Sequence, residues 1–259
     1  MINLLVLVAL LGGCVSEPEE EGSTEQSVVS QNKLAANKLA ANALSANKLA
    51  ANKLTAASLA AGTTSSQLIN SADGREVLTY ILSCALSSSQ SIVLKDASNT
   101  SYTFTGSLGL GSAWLTRELT VDEQRWVSAC VFARTNYYGV TVQLSMRGNN
   151  PLLATSADER TQYGGLDGGF YGNLFDSTGP KEYACDGWYN TTNRICANVA
   201  TDGTTTMCGF TYTGSCYTGS NVACTGQVSG SAVTSSCRLA NSSSSPNSAY
   251  PQAIMVFLQ

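Results

Sequence analysis

The stretch TVDEQRWVSACVFARTN, Thr120 to Asn136, decides how the chain folds. Thr120 followed three residues later by Glu123 forms a capping box, in which hydroxyl and carboxylate satisfy the free N–H groups of a helix start. Behind it Trp126, Val127, Cys130, Val131 and Ala133 recur at helical spacing. A helix with so broad an apolar face has to bury it, so its partners are the next thing to find.

Upstream, SADGREVLTYILSCALSS (Ser71–Ser88) reads as a second helix, with Ser71 as its cap. Its apolar face is built from Val77, Leu78, Ile81, Leu82, Cys84, Ala85 and Leu86. Cys84 and Cys130 lie on the buried sides of the two helices and are expected to pair. Between the helices, SQSIVLKD and TSYTFTG alternate in period two around Asp96-Ala97-Ser98-Asn99, a hairpin signature. Downstream, YGVTVQLSM is a strand and Ser156-Ala157-Asp158-Glu159 is a second capping box. TTTMCGFTYT, GSAVTSSCRL and the closing AIMVFLQ add further strands. The expected fold class is therefore α+β: two main helices with antiparallel strands and a disulfide-stapled, loop-rich C-terminal lobe. The domain is expected over 63–259, with a helical half at 70–150 and a cystine-rich half at 180–240.

Nine cysteines are present. With Cys14 set aside, Cys84, Cys130, Cys185, Cys196, Cys208, Cys216, Cys224 and Cys237 make an even set with no C-x-x-C spacing. That pattern predicts up to four disulfides and an oxidising compartment rather than a zinc ribbon.

The N-terminus has its own logic. Ile2 to Leu11 is apolar, too short to span a bilayer, and runs into Leu11-Gly12-Gly13-Cys14 and then an acidic, proline-containing stretch. This string resembles the lipobox of bacterial lipoproteins. The resemblance implies a signal peptide over 1–13, acyl chains on Cys14, and anchoring to membrane. Val15 in place of Asp then favours the outer membrane or cell surface. A plain cleaved signal peptide is the alternative, and Met1-Ile2-Asn3 lacks the basic residue the family carries there. Residues 14–31 follow as an acidic spacer.

From 32 to 62 the chain repeats every five residues, with Leu at 34, 39, 44, 49, 54 and 59. Five residues turn an α-helix by about 140° beyond a full turn, so the leucines spiral instead of forming a stripe. On a strand they would alternate faces. A spacer with nascent helix is therefore expected, dispensable for folding. The repeat bears a weak similarity to pentapeptide-repeat proteins, which implies a square β-solenoid. A short solenoid and a helix docked on a partner are the two other readings.

Function is bounded mainly by exclusion. Net charge is −4, which argues against nucleic acid. No histidine is present, so His-based triads and His-ligated metals are excluded, and no metal or cofactor is expected. Ser45-Ala46-Asn47-Lys48 matches S-x-x-K only as one copy of the repeat. Asp122, Glu123, Asp158, Glu159 and Asp167 are the acids available for glycoside cleavage. Four of them sit in first turns of helices, where capping explains them.

The most suggestive segment is YGGLDGGFYGNLF (Tyr163–Phe175) with CDGWYN after it. Tyr163, Asp167, Phe170, Tyr171, Asn173, Trp188 and Tyr189 read as a glycine-rich aromatic loop able to stack on sugar rings and bond their hydroxyls. The alternative is that Tyr163, Phe170, Tyr171 and Phe175 plug the seam between the two halves. Tyr137 and Tyr138, ahead of Gly139, pose the same choice. The expected function is a non-catalytic, lipid-anchored envelope or surface protein that binds a ligand, glycan or protein partner. An envelope hydrolase using paired carboxylates is the alternative.

Overall fold

The computed structural model describes residues 29–47, 49, 54, 66–189, 191, 193–217, 222–225, 228–229, 232–233, 236–238 and 250–259. The expected signal peptide, Cys14 and most of the acidic spacer lie outside the described residues.

Strands β1 (Val29–Asn32) and β2 (Leu34–Ala35) lead into helix α1 (Ala36–Asn47). Helix α2 (Ser66–Asn70) precedes α3 (Ala72–Ala85), whose cap Ser71 accepts from the Gly74 N–H at 3.0 Å. The hairpin β3 (Ser91–Lys95) and β4 (Ser101–Thr105) closes where the Asp96 carboxylate accepts the Ser98 and Thr100 N–H groups. Helix α4 (Val121–Ala133) starts at the Thr120–Glu123 capping box read from the sequence. After it come β5 (Thr135–Asn136), β6 (Val142–Arg147) and α5 (Ala157–Gln162). The chain then forms β7 (Gly165–Asn173), β8 (Lys181–Asp186) and β9 (Thr211–Ser215). Four two-residue strands follow: β10 (Cys224–Thr225), β11 (Val228–Ser229), β12 (Ala232–Val233) and β13 (Ser236–Cys237). Strand β14 (Ile254–Leu258) completes the order.

One six-stranded sheet, in the order β1-β6-β14-β7-β8-β9, holds the molecule together. Its pairings are antiparallel except β8–β9, which is parallel. All five residues of β14 are buried, as expected for a strand covered on both faces. Phe170, Ala184, Ile254 and Val256 point to the helical face, where α4 lies across β7 and β14. Tyr171, Cys185, Met255 and Phe257 point to the other, which Cys216, Cys224, Cys237 and Tyr250 cover.

The α+β class and the disulfide-stapled C-terminal region stand as expected, and Cys84 pairs with Cys130 across α3 and α4. The remaining pairs are Cys185–Cys216, Cys196–Cys208 and Cys224–Cys237. The two halves share one core. Phe210, from the cystine-rich half, packs at ring distances of 5.4 Å on Phe132 and 6.1 Å on Phe170.

The spacer expectation for the repeat is corrected over its described residues. Leu34, Leu39, Leu49 and Leu54 are each at most 2 % exposed. Helix α1 packs on α2 and α3, and Lys38 reaches Glu76 at 2.6 Å and Asp73 at 3.2 Å. β1 pairs along β6, Tyr80 Oη accepts the Lys33 N–H, and Asn47 Nδ2 donates to the Leu174 and Asp176 carbonyls. The Leu54 N–H donates to the Trp114 carbonyl at 2.9 Å. The docked helix was the right alternative, and its partner is the chain's own domain. Five-residue spacing is compatible with burial here because the repeat does not hold one conformation throughout but passes from strand to helix to turn.

Candidate functional site

The Tyr163–Phe175 segment is not a loop. It forms β7, hydrogen-bonded on both sides in the middle of the sheet, and most of its predicted site residues lie inside the protein. Its glycines make room for close neighbours. A Cβ on Gly168 would lie 2.3 Å from that of Ala197, and one on Gly169 2.7 Å from Met255 Sδ.

Phe170 and Tyr171 are fully buried on opposite faces. The Tyr171 hydroxyl donates to the Arg238 carbonyl at 2.8 Å, and burial pushes its pKa up. Asn173 donates to Gln124 Oε1 and accepts the Phe175 N–H. Asp167 receives Arg194 Nε at 2.8 Å with both side chains fully buried. Burial drives the Asp167 carboxyl upward, and the neighbouring Arg194 charge opposes that shift. Tyr163 is 2 % exposed and donates to Gln143 Oε1 at 3.3 Å. For these five the expected sugar-stacking role is corrected: they cannot present a face to a ligand. The alternative named Tyr163, Phe170, Tyr171 and Phe175 as packing residues, and all four are buried.

Trp188 and Tyr189 behave differently. They follow β8 at the end of the sheet where β7 begins and β14 finishes. The Tyr189 N–H donates to the Leu166 carbonyl at 2.9 Å and its hydroxyl donates to the Gln259 carbonyl. The ring lies flat against Gly165, where an added Cβ would sit 2.4 Å from its Cγ. Beside it opens a cleft of about 250 Å³ lined by Val142, Gln143, Tyr189, Thr191, Leu258 and Gln259. The lining offers one aromatic face, two apolar side chains, amides and a hydroxyl, and no charged side chain. Trp188, 45 % exposed, turns to the other side of β14, with its ring 4.8 Å from Tyr217 and 6.5 Å from Phe257. Tyr137 and Tyr138 are 46 % and 50 % exposed, on a loop that Asn136 ties to Val140 and to Asn193. Asn193 lies two residues from Thr191, which lines the cleft.

The charged groups nearby are engaged. Asp186 accepts the Tyr212 hydroxyl at 2.9 Å, and burial together with that acceptor raises the Tyr212 pKa to about 12. Arg147 lies 3.9 Å from the Phe257 ring on its buried side, donates to the Tyr163 carbonyl, and is lowered to about 10 by burial. Sequence reasoning missed Gln143, Thr191, Tyr217 and Gln259, since nothing local in the sequence shows that β6 and β14 end beside Tyr189.

The acids weighed for hydrolysis are spread over the fold. Asp122 accepts from Gln252, and Glu123 forms the capping box and pairs with Arg117 at 2.7 Å. Asp158 and Glu159 occupy the first turn of α5, with Glu159 only 4 % exposed. Glu182 has a carboxyl that burial raises to about 7, as a general acid would require. It pairs with Gly172 at the far end of β7, seven residues and roughly 23 Å along the strand from Gly165. Among the described residues no group of three or more acids and cysteines is placed to hold a metal, and no helix is long and apolar enough to cross a membrane. No family model, curated protein or solved structure matches the chain.

Proposed function

We propose that the protein is a non-catalytic binding protein of the bacterial outer membrane or cell surface, held by acyl chains on Cys14, which takes its ligand at the Tyr189 cleft. The observation that carries the reading is the lining of that cleft. An aromatic wall beside uncharged hydrogen-bonding side chains suits recognition. It offers no acid–base pair. The Leu11-Gly12-Gly13-Cys14 string supports the anchor, and four cystines fit an exported chain. The net charge of −4 keeps nucleic acid an unsuitable partner.

The test is a pull-down of the full-length acylated protein against envelope and extracellular polymers, with release of new reducing ends followed in parallel. Binding without turnover, lost in Tyr189→Ala, is the expected result. Steady release of reducing ends that Glu182→Gln abolishes would overturn the reading in favour of a hydrolase.

A further inference from the structure

The turn between β5 and β6 gathers three apolar side chains that do not serve the core. Tyr137, Tyr138 and Val140 are between 44 % and 50 % exposed, and the two rings meet edge to face at 5.2 Å. Beneath them Asn136 is fully buried and fixes the turn. Its Oδ1 accepts the Tyr138 N–H, and its Nδ2 donates to the Val140 and Asn193 carbonyls. Gly139 completes the turn at φ 64°, a backbone conformation that glycine adopts without strain. The rings therefore stand on a fixed support, and little ordering is needed for them to meet a partner.

Their place in the fold says which partner. The turn lies against the first described part of the chain. β2 pairs parallel with β5, β1 runs antiparallel to β6 with Asn32 opposite Val142, and a Cβ on Gly139 would sit 3.3 Å from that of Ala35. Val29, where β1 starts, lies roughly 10 Å back along the strand from Asn32. Residues 15–28 alone separate Val29 from Cys14, and they can span at most about 50 Å however they are arranged. An anchor on Cys14 keeps this edge of the sheet within a protein's width of the bilayer. Lys33 is exposed at the same edge, and the sequence holds no acid from Gln124 to Ala157. Glu17, Glu19, Glu20, Glu21 and Glu25 follow the anchor closely, so contact through rings suits this chain better than attraction to strongly anionic lipid.

We propose that Tyr137, Tyr138 and Val140 form a docking tip that seats in the headgroup layer of the bilayer holding Cys14. The proposal rests on the anchor reading above and adds which edge of the domain faces the lipid. Tyrosine suits that layer because its ring enters the apolar boundary while its hydroxyl stays with water. Three side chains are too few to hold a protein on a membrane alone. With acyl chains supplying the attachment, the tip sets the orientation.

The test uses full-length protein purified from membranes, with acyl groups on Cys14 verified by mass spectrometry. It is placed in phosphatidylcholine–phosphatidylethanolamine vesicles with or without brominated acyl chains, which quench tryptophan only at short range. Tyr138→Trp puts a reporter on the tip. Val121→Trp puts one on an exposed residue at the opposite end of α4, roughly 18 Å along the helix from Ala133. Measured against the parent, Tyr138→Trp emission is expected to fall about twofold in brominated vesicles, equally so in about 0.5 M salt, while Val121→Trp emission stays unchanged. Adding Tyr137→Ser and Val140→Ser to Tyr138→Trp should remove most of that quenching, and an unchanged thermal transition in each variant excludes misfolding. No quenching of Tyr138→Trp with the acyl groups in place would overturn the tip and leave the anchor standing. Equal quenching of both reporters would overturn it, as would quenching abolished by salt, which would move the contact to Lys33. Protection of the tip amides from hydrogen exchange without lipid, together with a dimer in sedimentation, would assign the rings to a second copy of the chain and overturn the proposal. Absence of acyl groups would overturn the anchor reading. The same vesicles added to that unacylated protein then test the tip by itself, and it falls if Tyr138→Trp stays unquenched.

Discussion

Arg194→Met removes one side chain from the middle of the protein, and its cost can be worked out from what that side chain touches. Nε meets Asp167 Oδ2 at 2.8 Å, Nη2 donates to the Ala133 carbonyl at 2.8 Å, and Nη1 donates to the Thr135 carbonyl. The guanidinium therefore closes the C-terminal end of α4 and neutralises an acid buried with it. Methionine fills similar space without either service. Asp167 would be left charged and alone, its Oδ1 already without a hydrogen-bond partner among the described residues. Breaking a buried pair on one side typically costs about 3–5 kcal/mol. The fold can escape the charge by protonating Asp167, at about 1.4 kcal/mol per pH unit above a reference pKa near 3.9. That limits the charge penalty to about 4 kcal/mol at pH 7 and about 1.5 at pH 5. Two uncapped carbonyls add about 1–3 kcal/mol more between them. A total near 5 kcal/mol at pH 7 is a third or more of the ~5–15 kcal/mol that holds an ordinary domain folded.

The pH dependence carries a sign. In the variant the folded-state pKa of Asp167 is raised above its unfolded value, so the native state holds the extra proton. Stability is then fullest below about pH 3.9 and is lost as pH rises toward the raised pKa. Urea denaturation followed by tryptophan fluorescence should show Arg194→Met about 2.5 kcal/mol closer to the parent at pH 5 than at pH 7. The double variant Asp167→Asn with Arg194→Met should recover most of the charge penalty at pH 7. A loss under about 1 kcal/mol, a loss that does not change with pH, or a double variant as weak as the sum of the singles would refute the reasoning.

Other outcomes can be checked independently. Leu39→Ala should cost about 2–4 kcal/mol, because a buried leucine of α1 leaves a cavity against α3; a melting temperature within a degree or two of the parent would restore the spacer reading. Glu182→Gln should flatten the pH dependence between about 5 and 8, because the wild-type carboxyl is raised to about 7 and stability falls as pH climbs from its unfolded value through that point. Under a reductant, hydrogen exchange should rise first over the edge strand β9 and the paired strands β10 and β13, which the Cys185–Cys216 and Cys224–Cys237 cystines tie down. The centre strands β6, β14 and β7 should follow later, and simultaneous loss everywhere would show that the bridges confer no local stability. Cys14→Ser should abolish incorporation of labelled fatty acid and leave a longer precursor, whereas label retained in the variant would dismiss the anchor.

The sequence made some elements plain and hid others, for identifiable reasons. The Thr120 box, the α3 and α4 faces, the hairpin at Asp96 and the Cys84–Cys130 bridge are local or one step removed from local, and each is where periodicity and capping chemistry put it. β7 was hidden because GLDGGFYGN has neither alternation nor β-branched residues. Its strand identity comes from neighbours on both sides, whose backbones approach so closely that only glycine fits at 168, 169 and 172. The same glycines that imitate a mobile loop are what a crowded central strand requires. Of the residues read as a candidate site, Trp188 stays exposed and Tyr189 only half-buried because they lie beyond a strand end.

The repeat shows most sharply how a correct geometrical premise can mislead. Five-residue spacing cannot give one face on a continuous helix or strand, and the protein does not try. Leu34 is buried from a strand, Leu39 from the helix and Leu49 from the turn beyond it, with Leu54 farther along the chain. Within α1 the buried line runs Leu39, Ala43, Ala46, at the three- and four-residue steps a helix requires. The helix stops at Asn47, whose side chain bonds the Leu174 and Asp176 carbonyls and so fixes where the chain leaves. Ending there lets the next leucine be aimed afresh. The sequence period and the conformational period are therefore decoupled: Leu34, Leu39, Leu49 and Leu54 each supply an apolar anchor, delivered by whatever backbone conformation the surface beneath allows. Of its described lysines, Lys33 is exposed and Lys38 reaches the acids of α3, so these charges sit toward water or a partner between the anchors.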